Sequence, residues 1–168
     1  MKKITLTGIT LMFCALFLTS CSKDSISDEV SSYDQVATER VEYNYNTIEI
    51  EILDEINLYR SALGLTELKP MINLSIESEL HNEYMIDMGT VSHDNFSQRA
   101  SVIIQKVGAR EVAENVGYGY RTSQAVVNAW LKSKGHRENV EGDFTHFGIS
   151  VRQDEEGKNY FTNIFIKK

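Results

Sequence analysis

The sequence predicts an α+β fold in which helices sandwich an antiparallel sheet. Three observations carry this. Apolar residues recur at helical spacing through the first part of the domain. The period then changes to that of strands near the C-terminus. A polar turn, Asp154-Glu155-Glu156-Gly157, separates two strand-like runs as in a hairpin.

The elements follow in order from Ile48. Ile52, Ile56, Tyr59 and Leu63 lie four, three and four residues apart on one helical face, and Gly64 supplies a C-cap. A second helix is expected over 74–88, with Ile76, Leu80, Tyr84 and Met88 at intervals of four and Gly89 as its stop. A shorter third helix is expected over 97–106, closed by Gly108. Thr122 or Ser123 caps a fourth through Ala125, Val126, Ala129 and Trp130. A short strand is expected over 112–118. Residues 147–151 and 160–166 read as the hairpin strands. The sequence has no internal repeat.

Composition narrows the function. The chain has 168 residues, 17 basic and 24 acidic side chains, and a net charge of −7. An acidic balance argues against a phosphate-backbone binder, so no nucleic-acid partner is expected. Two cysteines cannot make the disulfide framework of a small secreted scaffold.

Both cysteines lie near the N-terminus. Lys2 and Lys3 precede an apolar run from Ile4 to Leu18, the pattern of a signal sequence. The run is short for a bilayer span. Its end, Leu18-Thr19-Ser20-Cys21, resembles the bacterial lipobox. The resemblance implies cleavage before Cys21, lipid on Cys21 and loss of Cys14 with the signal, 1–20. The alternatives are an ordinary signal peptide, or a membrane helix that ends in Cys. Processing as a lipoprotein leaves 15 of the 17 basic side chains against 24 acidic ones, a net charge of −9. No free thiol remains for catalysis or Cys-ligated metal. The expected setting is the cell envelope, outside the cytoplasm, with the membrane as partner through Cys21. Residues 21–47 read as the lipidated Cys and a polar tether. The Tyr43–Asn46 stretch is aromatic enough to pack on the domain, which is expected over 48–168.

Three side chains carry chemistry at the edges of regular elements. His93 lies in a loop after Gly89. Glu114 lies in the expected strand, and His136 follows Gly135. Two imidazoles and a carboxylate form a plausible ligand set for a divalent cation such as zinc, with an open position. The same set could instead hold a water or orient a polar ligand. The spacing does not match a helical HExxH site, and the sequence lacks a GxSxG elbow and a phosphate-binding loop. His81 reads as structural and Trp130 as core. Arg137 is expected to pair with a carboxylate or a helix end.

In order, the segments Ser92-His93-Asp94, Ala113-Glu114-Asn115-Val116, Ala129-Trp130, Gly135-His136-Arg137-Glu138-Asn139 and Phe144-Thr145-His146-Phe147-Gly148-Ile149 resemble the CAP superfamily, also called SCP-like, in its short bacterial branch. The resemblance covers 48–168. It implies an α-β-α sandwich, an extracytoplasmic setting and a cleft with two His and two acidic residues, in some members with a divalent cation. His93 and Glu114 match the first His and first acidic residue. Ser133 stands where larger relatives carry the second acidic residue. His136 is the first choice for the second His, and His146 the alternative.

Three functions remain in view. One is a cleft-based binding module for a ligand, lipid or cell-surface partner. Another is a metal-assisted hydrolase with Glu114 as general base. The third is a structural protein whose His–Glu cluster stabilises the fold.

Overall fold

The computed structural model describes residues 43–168. The expected signal, Cys21 as the expected lipid site and most of the expected tether lie outside these residues. The elements are α1 (Thr47–Ala62), β1 (Lys69–Pro70), α2 (Ile72–Met88), α3 (Phe96–Val107), β2 (Glu111–Tyr118), α4 (Ser123–Lys132), α5 (Lys134–Glu141), β3 (His146–Gln153) and β4 (Asn159–Lys167).

The strands form one sheet in the order β1-β3-β4-β2. β3, β4 and β2 pair antiparallel, as expected. β1 was not foreseen. It is two residues long, contains Pro70, and pairs parallel with the start of β3. Local signals bound several of the helices. Asn46 forms a reciprocal capping box with Glu49 at the start of α1, and Thr122 caps α4. Gly89 and Gly108 turn left-handed after α2 and α3, where glycine is least strained.

Helices cover both faces. α1 (Ile52, Ile56) and α4 (Val126, Trp130) bury their apolar faces against Phe147, Ile149, Phe161 and Phe165, with Val140 of α5 beside them. On the other face Leu74 of α2 and Ile103 of α3 pack on Ile164 and Ile166, and Met85 packs on Val116 and Tyr160. The arrangement is an α-β-α sandwich. The Trp130 indole is buried and donates to the Val116 carbonyl at 2.8 Å.

The buried face of α2 differs from expectation. Leu80 and Met88, two members of the apolar stripe, are exposed, while Ser75, Ser78, His81 and Asn82 face inward. The reason is close approach. A Cβ on Gly148 would lie 2.5 Å from the Leu74 Cβ and the Ser75 amide nitrogen, so helix and strand backbones meet here and polar side chains of α2 lie within reach of the β3 carbonyls. Ser78 donates to the Gly148 carbonyl, and Asn82 donates to that of Ser150. Leu63, read as part of the inward face of α1, is likewise exposed.

The Tyr43–Asn46 segment packs on the domain. Tyr43 is buried and donates to Glu49 at 2.9 Å. Glu49 in turn accepts from the Val151 amide and from Arg152, which also pairs with Glu79. The outer side of β3 beyond β1 is thus covered by side chains.

Candidate functional site

The site forms where α3 and α5 flank the free edge of β2. The loop after α2 carries His93. Its backbone is held by the buried His81, whose Nε2 donates to the Ser92 carbonyl at 2.8 Å. Tyr84 donates to Asp94, and the Asp94 amide donates to Ser92 Oγ. Asn95, at φ 58°, turns the chain through the left-handed region into α3, a conformation Asn tolerates better than most residues. These contacts fix the backbone on either side of His93.

Glu114 sits below His93 on β2. Its side chain is 1 % exposed, against 49 % for His93. His93 Nδ1 donates to Glu114 Oε1 at 2.9 Å, which leaves Nε2 as the other ring nitrogen. Arg99 of α3 grips the same carboxylate. Its Nε donates to Oε2 and its Nη2 to Oε1, each at 2.8 Å. Arg99 Nη1 also donates to the Asp94 carbonyl. The buried carboxylate is therefore paired with a cation in the bidentate geometry that guanidinium favours.

His136 approaches from the other side of the sheet. Its ring centroid lies 6.5 Å from that of His93. Asn115 donates to the His136 carbonyl, and Asn139 donates to Asn115 Oδ1 and to the Glu114 carbonyl. Arg60 of α1 holds the far end of α5 by donating to the Val140 and Gly142 carbonyls. Arg137 donates to the Leu131 carbonyl in the last turn of α4, a helix-end contact. Burial, with His93 nearby, lowers the His136 pKa, which favours the neutral ring. Burial also lowers that of His81.

The structure thus brings His93, Glu114 and His136 together. It does not bring His146 to them. His146 starts β3 beside β1, two strands from β2, and its Nδ1 bonds the Thr145 hydroxyl. Ser133 joins α4 to α5.

The expected ligand set fits a cation poorly. Both Glu114 oxygens accept from Arg99, whose positive charge opposes a second cation at this buried carboxylate. Among the described residues no group of three His, Cys, Asp or Glu is placed to hold a metal ion. The remaining donors are the two imidazoles, with Glu114 orienting His93 from behind.

Arg99 was missed from the sequence. Its signal was its position on the stripe Phe96, Arg99, Ile103, where an Arg on a buried face implies a buried acidic partner. The cleft itself holds about 260 Å³ and is lined by His93, Phe96, Val112, Ala113, Glu114 and Asn139.

Among the described residues no helix is long and apolar enough to cross a membrane. Residues 53–165 match the family model described as CAP, cysteine-rich secretory protein family. The chain is 30% identical over 142 residues to the uncharacterized membrane protein YlbC of Bacillus subtilis, covering 79% of this chain and 38% of that protein. It is 27% identical over 124 residues to the uncharacterized protein YkwD of the same organism, covering 71% of this chain and 47% of that one. The chain therefore spans less than half the length of these curated relatives. Among solved structures, an outer surface protein of Borrelia burgdorferi is similar with a TM-score of 0.66 at 23% identity, over 74% of this chain and 96% of that one. An extracellular SCP-domain protein of Bacillus anthracis is similar with a TM-score of 0.64 at 28% identity, over 71% of this chain and 40% of that one. Its sequence from Leu53 to Phe165 and its three-layer fold make this chain a member of the CAP, or cysteine-rich secretory protein, family.

Proposed function

We propose that the protein is an extracytoplasmic binding module, anchored to a membrane through lipid on Cys21, whose cleft recognises a small polar ligand or one segment of a larger partner. The observation that carries this reading is the His93–Glu114–Arg99 chain of contacts. A half-exposed imidazole is oriented by a buried carboxylate that is itself neutralised by a buried guanidinium. His136 faces it across the β2 edge. Such a network pre-organises polar groups at a cleft mouth, which lowers the ordering cost of binding.

The cleft is smaller than the roughly 300–1,000 Å³ of drug-sized pockets, so it suits a small ligand or a single segment. A general-base role for Glu114 has no support in this geometry, because the carboxylate is buried and paired with Arg99. A divalent cation would rest on the two imidazoles alone, a weak site without a third protein ligand.

The test is amide-shift mapping of the 15N-labelled full chain, purified in detergent, against a library of small carboxylic acids, amides and alcohols. A parallel zinc titration reads the cation. The proposal expects shifts at His93, Val112–Glu114, His136 and Asn139 that vanish when His93→Ala and His136→Ala are combined. Shifts confined to other surfaces, or surviving in the double variant, would remove the cleft from the account.

A further inference from the structure

We infer that the ligand of this cleft is an extended peptide segment of a partner protein, which adds as a strand to the open edge of β2. The inference rests on the cleft being the binding site and names what fills it.

Hydrogen-bond parity separates the two sides of β2. β2 pairs antiparallel with β4, Glu111 opposite Lys167 and Tyr118 opposite Tyr160. The Gly119 amide, one residue beyond β2, donates to the Asn159 carbonyl. At the other end the alternation breaks just before the strand, where the even-numbered Arg110 amide also donates to the Lys167 carbonyl. In an antiparallel ladder the in-plane groups alternate sides at every residue. Counted from Gly119, odd-numbered residues of β2 address β4, and Val112, Glu114 and Val116 present N–H and C=O to the outer edge. Two side-chain contacts agree. Asn139 caps the Glu114 carbonyl, and Trp130 caps the Val116 carbonyl.

The Val112 N–H, the Val112 C=O and the Glu114 N–H remain. None of them has a hydrogen-bond partner among the described residues. They form a stretch of roughly 7 Å along the strand, and Val112 and Glu114 line the cleft.

The opposite edge of the sheet shows the contrast. Met71 donates to the Phe147 carbonyl, Tyr43 reaches the Ile149 carbonyl, and Glu49 accepts from the Val151 amide. Proteins cover exposed sheet edges because bare ones pair with other chains. Here one edge is covered, and the other is open where a cleft lies over it. The open groups are a donor, an acceptor and a donor, which complement the backbone of another strand. Peptide recognition by strand addition takes its affinity from such main-chain bonds and its specificity from pockets for alternate side chains. Phe96 supplies an apolar wall, while His93 and Asn139 supply polar ones.

The experiment uses the 15N-labelled full chain in detergent and a degenerate pool of capped pentapeptides without Pro or Cys. A second pool carries N-methyl groups on every amide. The inference expects shifts and slowed hydrogen exchange at Val112 and Glu114 with the first pool. It expects at least tenfold weaker binding of the methylated pool, and of the first pool to Val112→Pro. That substitution removes an outward N–H and leaves the β4 ladder its donors, as proline on an edge strand can. Equal binding of the two pools would overturn strand addition, as would no shift at about millimolar total peptide. Should Val112→Pro fail to fold, the methylated pool on the unaltered chain decides. If the small-molecule library binds the cleft and the pentapeptides do not, this inference falls and the binding-module reading stands. If neither binds, both fall.

Discussion

Arg99 of α3 and Glu114 of β2 are joined by two parallel hydrogen bonds of 2.8 Å, with both side chains buried. The pair ties the helix that forms one wall of the cleft to the strand that forms its floor. It also makes Glu114 an orienting group for His93 rather than a free carboxylate. Arg99→Ala would strand a buried charge, which costs about 3–5 kcal/mol. Urea denaturation should show that loss, with Arg99→Lys in between because an ammonium cannot reproduce the fork. A loss below about 1 kcal/mol would mean that the pair holds neither helix nor carboxylate.

The seam between α2 and β3 leaves no room at Gly148. Gly148→Ala should lower stability by about 1–3 kcal/mol through overpacking against Leu74 and Ser75. Gly135→Ala, inside α5 with open space around its Cβ, is the comparison. It should be neutral or stabilising by about 0.5–1 kcal/mol. Thermal melts of both variants test the seam, and equal melting points would argue against it.

Acidification should weaken the fold through the buried His81 and the half-buried His136. Burial lowers the pKa of His81 and His136 below the ordinary imidazole value. The unfolded chain then binds more protons than the folded one below about pH 6.5. The contribution of the neutral rings is complete above that pH and declines as pH falls through the lowered folded values. The urea midpoint should therefore drop between about pH 7.5 and about pH 5, and drop less in His81→Gln. A midpoint that rises on acidification would contradict this assignment.

Cys21→Ser should release the protein from the membrane fraction and abolish lipid labelling. Retention of the variant in that fraction would mean that the apolar run from Ile4 to Leu18 itself holds the chain.

Much of the fold was legible because its strongest signals are local. The hairpin rests on the turn at Asp154–Gly157 and two apolar runs, and the ends of α2 and α3 on Gly89 and Gly108. Other features depend on contacts distant in sequence. The inward face of α2 is polar because it meets Gly148 and the strand carbonyls, which no helical periodicity reveals. β1 is two residues ending in Pro70 and exists only because β3 lies beside it. α5 buries only Val140, so it lacks an apolar stripe to announce it. At the site, the order of motifs pointed to His93, Glu114 and His136. That Arg99 takes both Glu114 oxygens follows from the packing of α3 on β2, which the sequence hinted at only by an Arg on an apolar stripe.

The proposed function puts binding at the cleft over β2, which His93 lines, with the His136 ring 6.5 Å from that of His93. Amide-shift mapping with the small-molecule library tests it most directly. Shifts should cluster on His93, Val112–Glu114, His136 and Asn139 and be lost when both histidines become alanine. Shifts clustered away from these residues, or unchanged by the double substitution, would contradict it.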